Sequence, residues 1–66
     1  MRNPNRIEPF INQLKTIWTE QCPDWRFGQL ISNLESYIDS DLFYIEDDEM
    51  MKYINEYFKI STKKSQ

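Results

Sequence analysis

Seven carboxylates, Glu35, Asp39, Asp41, Glu46, Asp47, Asp48 and Glu49, fall within fifteen consecutive residues that contain no base. The remainder of the chain holds eight bases and four acids, so the formal charge of −3 is divided into minus seven against plus four. Carboxylates at such density suit divalent cations, polar small ligands or a basic protein surface. The calcium version fails on spacing. An EF-hand loop opening at Asp39 has Asp41 in place, but it needs an oxygen ligand where Phe43 stands and a glycine where Tyr44 stands. Two readings remain. One is an acidic docking surface formed by Asp39, Asp41, Glu46, Asp47, Asp48 and Glu49; the alternative is a small-ligand or metal-binding use of residues 39–49. Helix capping accounts for part of the same run, because negative charge is favoured at the positive end of a helix dipole.

Nucleophilic chemistry has little to work with. Ser-His and Cys-His arrangements require a histidine, and the chain has none. Cys22, the single cysteine, cannot form an internal bridge, and next to Pro23 it reads as a small core filler. Paired carboxylates titrate usefully only in concave, water-poor surroundings, which a short helical domain scarcely offers. We therefore expect no catalytic residues, no cofactor and no assigned metal ligands. Binding has better candidates. Arg26, Gln29 and Asn33 recur at helical spacing as a polar stripe, while Trp25 and the pair Phe43-Tyr44 lie outside the apolar stripes and are suited to anchoring an interface.

The elements that must carry these residues are three helices. Ile7, Phe10, Ile11, Leu14, Ile17 and Trp18 mark one face of a first helix, firm over residues 9–21. Asn3-Pro4 reads as a cap with a first-turn proline, so residues 4–8 are expected to add a turn, with a kink at Pro9. Pro23 ends this helix. Asp24 is the expected N-cap of a second, over residues 25–38, with Phe27, Leu30, Ile31, Leu34 and Ile38 inward. Gly28, the only glycine, falls in its first turn, where a close approach of two backbones would explain it. The acids of residues 46–49 open a third helix, over 46–59, with Met50, Ile54, Tyr57 and Phe58 buried and Ile45 stapled onto Met50. The polar tail of residues 61–66 should fray.

The expectation is one all-α domain, a compact three-helix arrangement over residues 1–60. Direct nucleic-acid binding is opposed by a sequence pI near 4.7 and by four acids at the start of the helix that would enter the groove. No run approaches a membrane span, and the N-terminus lacks the features of a secretory signal, so a reduced cytoplasmic setting is expected. With 66 residues, no disulfide and ten aromatic side chains, self-association would help to stabilise the domain. A symmetric homodimer is expected through the first and second helices with Trp25 near its centre, since apposed acidic segments would repel.

Three segments in order, Arg2-Asn3-Pro4-Asn5-Arg6-Ile7, then Trp18 with Pro23-Asp24-Trp25-Arg26-Phe27-Gly28-Gln29-Leu30-Ile31-Ser32-Asn33, then Phe43-Tyr44-Ile45-Glu46-Asp47-Asp48-Glu49, carry a resemblance. Together they resemble a family of small bacterial and phage-borne proteins that has no assigned activity. The resemblance extends to about Phe58, and departs at Pro9 and at Trp25, where an aliphatic residue would be expected. It implies a compact bacterial helical protein, with a tilt towards mobile genetic elements, and transfers no site residues. The combined expectation is a non-catalytic protein–protein interaction module, or a small regulatory or accessory protein, docking onto itself or onto a host protein.

Overall fold

Asn3 sets the start of the fold: its side chain accepts from the Asn5 backbone N–H at 2.9 Å, and Pro4 presets the following turn. The computed structural model, which describes residues 2–60, shows a 3₁₀ turn at Pro4–Arg6 running directly into helix α1, Ile7–Gln21. The extra turn expected over residues 4–8 is present, and the α-helix begins at Ile7, two residues before the expected firm start at Pro9. Pro9 is the third residue of α1, where a backbone N–H has no intrahelical acceptor, so the proline removes no helical hydrogen bond.

α1 closes with the Cys22 N–H donating to the Trp18 carbonyl at 3.1 Å, and the Trp25 N–H then returns to the Cys22 carbonyl at 3.1 Å. That turn takes Asp24 out of capping position. Helix α2, Phe27–Tyr37, accordingly begins two residues later than predicted, with Arg26 as its N-cap. The Gln29 side-chain oxygen accepts from the Arg26 N–H at 2.8 Å, which is one half of a capping box; arginine has no acceptor with which to supply the other half. Gly28, expected to mark a close backbone approach, marks none, since a β-carbon there would meet nothing within 4 Å.

After α2, Asp41 repeats the device used by Asn3. Its carboxylate accepts from the Phe43 N–H at 3.0 Å and holds a second 3₁₀ turn, Leu42–Tyr44. Helix α3, Asp47–Tyr57, follows from Glu46, and Ile45 and Met50 occupy the two positions of a hydrophobic staple and both pack on the core. The end of α3 falls short of the predicted 59 for a clear reason. Lys59 takes a left-handed conformation at φ 57°, the Lys59 N–H bonds the Glu56 carbonyl at 3.1 Å, and the Ile60 N–H bonds the Asn55 carbonyl at 2.8 Å. This is a Schellman motif with lysine where glycine is usual, and Ile60 packs onto the core above it.

The core is formed by Leu30, Leu34 and Ile38 around α2, Ile17 and Cys22 from the end of α1, and Met51 and Ile54 from α3. The chain is thus an all-α three-helix domain, with no strand among the described residues. All three stripes differ in part from expectation. On α2, Leu30 and Leu34 are buried with Ile38 at the cap, but Phe27, expected inward, is 56% exposed because it is the first residue of the helix. On α3, Met51 and Asn55 are buried while Met50, Tyr57 and Phe58 are half-buried. Met50 and Met51 are adjacent, so a small rotation of the helix decides which is buried, and the Ile60 N–H reaches the Asn55 carbonyl at 2.8 Å. On α1, Ile17 is buried and Phe10, Leu14 and Trp18 are half-buried, but Ile7 and Ile11 remain exposed. The tail expected to fray, residues 61–66, lies outside the described residues.

Candidate interaction surface

The starts of α1 and α3 are brought together by charge. Arg2 grips Glu46 through two parallel hydrogen bonds, Nε to Oε1 at 3.0 Å and Nη2 to Oε2 at 2.6 Å, and the Arg6 guanidinium pairs with the Asp47 carboxylate. Arginine is suited to this bidentate geometry because its planar fork matches a carboxylate. The hydrogen bond from Arg2, reinforced by its charge, holds the Glu46 carboxyl below the usual carboxylate range, and the same pair raises the Arg2 guanidinium. Glu46 is consequently ionised well below neutrality, which suits a fixed charge and not a proton donor at pH 7.

A cleft of about 470 Å³ opens beside these pairs, floored by Pro9, Phe10 and Met51 and rimmed by Arg2, Arg6 and Asp48. A second cleft, of about 450 Å³, is also lined by these pairs and is bordered by Phe43 and Tyr44. Those two rings are the most exposed large apolar side chains described, 83% and 77% accessible. They meet edge to face, with centroids 4.9 Å apart, on the short turn that Asp41 caps. Two neighbouring aromatic side chains are thereby presented on a backbone fixed by local hydrogen bonds.

The remaining candidates are distributed differently. Trp25, expected near the centre of a self-association patch, is half-buried; it lies 6.5 Å from Tyr57 and 6.1 Å from Phe58 between ring centroids, and its carbonyl accepts from the Trp18 indole N–H at 3.1 Å. It closes the core because the turn after Cys22 folds it back onto the end of α3. Arg26 and Gln29 are exposed but bound to each other across the cap, whereas Asn33 is half-buried, so the polar stripe on α2 is divided. Among the acids, Asp48 accepts from the Glu49 N–H at 2.8 Å, and Asp39, Asp41 and Glu49 are exposed and unpaired with any base among the described residues. Only Glu46 and Asp47 of the acidic run are engaged by arginine. Among the described residues no three acids or thiols assemble where a metal ion could be held.

Arg2 and Arg6 were not among the residues singled out by sequence. Their signal was a pair of arginines four apart at one helix start, matching the acids at another, but nothing local told which acids would face them. Cys22 is buried, and desolvation pushes its thiol up, away from the reactive thiolate. Among the described residues no helix is long and apolar enough to cross a membrane. The fold and surface together define a small all-α domain with a charged, aromatic-edged end. Comparison of the chain with protein-family models, with curated proteins and with solved structures gives no match.

Proposed function

We propose that this protein is a non-catalytic protein-binding module, a small regulatory or accessory protein that docks through Phe43 and Tyr44. The observation that carries this reading is the exposure of both rings on a capped turn. Aromatic side chains buried at the centre of an interface dominate binding, and a turn already held in place loses little conformational freedom on association. Asp39, Asp41, Asp48 and Glu49 flank or neighbour the turn without a basic partner among the described residues, so the complementary surface has an aromatic-accepting groove and a basic rim.

The test is a pulldown from host lysate with the wild-type protein and with a Phe43→Ala/Tyr44→Ala double variant, both checked by thermal melt. Retention of a partner by the wild type and its loss from an equally stable double variant is the expected result. A double variant that retains the same partner would exclude these rings as the anchor, and a wild type that retains nothing would leave the module without a function of this kind.

A further inference from the structure

We propose that the exposed flank of α1 is a self-complementary seam that takes a second copy of this chain in antiparallel orientation. Ile7 and Ile11 stand one turn apart and are 46% and 50% exposed, although the sequence places them on the apolar face of α1. Farther along the same flank lies Trp18, whose ring centroid is 5.9 Å from that of Phe27, itself 56% exposed. The apolar row runs from Ile7 and Ile11 through the half-buried Leu14 to Trp18, about 16 Å along the helix at 1.5 Å per residue, and ends on Phe27 of α2. It is distinct from the core side of α1, where Ile17 is buried.

Charge selects the occupant. The outer edge of the row carries one acid, Glu8, and, seven residues later on the same edge, one base, Lys15, both exposed and outside the ion pairs of the described residues. Residues seven apart lie nearly above one another on a helix. A twofold axis beside Ile11 therefore sets Glu8 of each copy opposite Lys15 of the other, making two symmetric ion pairs. In the same arrangement Ile7 of each copy faces the Trp18–Phe27 end of the other, and the two copies of Ile11 meet at the axis. The acidic start of α3 is not apposed to itself. The row is short, so the interface falls below about 1,200 Å² in total, in the range of weak and reversible association.

Sedimentation velocity and light scattering from about 1 µM to about 1 mM cover that range. The wild type is expected to pass from monomer to dimer with rising concentration, and Ile11→Glu, at a site half-exposed in the monomer, to remain monomeric with an unchanged far-ultraviolet spectrum. Glu8→Lys and Lys15→Glu each replace two attractions with two repulsions and should weaken dimerisation about tenfold at low salt. The double variant Glu8→Lys/Lys15→Glu restores opposite charges and should return to within about threefold of the wild type. A monomeric wild type at the highest concentration overturns the proposal, as does a dimer that survives Ile11→Glu or a double variant no tighter than the single ones. A dimer lost in Phe43→Ala/Tyr44→Ala and kept in Ile11→Glu overturns it in favour of the aromatic turn, while the pulldown result for that turn stands or falls separately.

Discussion

The two ends of the molecule solve the same problem by different means. At one end α1 and α3 begin, and Arg2, Arg6, Glu46 and Asp47 tie them together at the surface, with Phe43 and Tyr44 left in solvent beside them. At the other end the chain turns after Cys22, and Trp18, Trp25, Tyr57 and Phe58 close over the core. Trp25 and Phe43 look alike in sequence, each being an aromatic residue in a connection between helices. Their fates differ because the first connection returns the chain across the end of α3, whereas the second turns Leu42 and Ile45 onto the core and leaves Phe43 and Tyr44 between them facing outward. Aromatic residues outside a periodic stripe are thus sorted by what the turn brings opposite them, and the ring left without an opposing surface is the one available to a partner.

Removing a ring at each end tests this division most strongly. Trp25→Ala deletes a half-buried indole from a close-packed group and is expected to destabilise by about 2–3 kcal/mol, somewhat less than for full burial. Phe43→Ala/Tyr44→Ala should stay within about 0.5 kcal/mol of the wild type, as surface changes do. Urea denaturation monitored by circular dichroism measures both. Similar losses at the two ends would mean that the aromatic turn is structural and the comparison fails.

Smaller effects sharpen the description of the closed end, where two positions carry the wrong residue for their backbone. Lys59 holds a left-handed conformation that favours glycine, and Lys59→Gly should stabilise by about 1 kcal/mol. Gly28 sits in the first turn of α2 with a negative φ and open space around it, so Gly28→Ala should add about 0.5 kcal/mol. In a domain of this size each kcal/mol moves the melting temperature by about 4–8 °C, which makes both changes measurable by thermal melt. A loss at Gly28→Ala would restore the close backbone approach that its presence in the sequence invites.

The helices were legible because their apolar residues recur at the helical period over nine to twelve positions, a signal that survives errors at the ends. Boundaries were less so. Asp24 and Arg26 compete to begin α2, and the outcome depends on the Trp25 N–H returning to the Cys22 carbonyl, a turn that local preference does not dictate. Met50 and Met51 are neighbours on α3, and the rotation that buries Met51 and leaves Met50 half-buried is set by the packing of the whole helix, which the period alone does not give. Of the interaction surface, Phe43, Tyr44 and the acids could be named from sequence as candidates, but the exposure of the two rings could not, because a connection carrying Leu42, Phe43 and Tyr44 reads as one that packs. Arg2 and Arg6 could not, because their role depends on a contact more than forty residues away in the chain.

The smallest expected effect belongs to the charged end and separates it from the closed end by its response to pH. Arg2 holds the Glu46 carboxyl below its ordinary value, chiefly by hydrogen bonding and then by charge. A carboxyl whose pKa is lower in the folded state than in the unfolded state binds fewer protons when folded. Its contribution is therefore fully present above the unfolded value, about 4.3 for glutamate, and is lost as pH falls through the lowered folded value. Both side chains are more than half exposed, so solvent and salt screen the pair and the effect on stability is slight. A double-mutant cycle with Arg2→Gln and Glu46→Gln isolates it from the effect of either charge on the α3 dipole. The coupling should be present at pH 7, reduced by about 0.5 M salt, and absent at pH values well below the carboxylate range. Trp25→Ala, which involves no titrating group, should cost the same across that window wherever both proteins remain folded. A coupling that persists in acid would show that packing, and not charge, fastens this end.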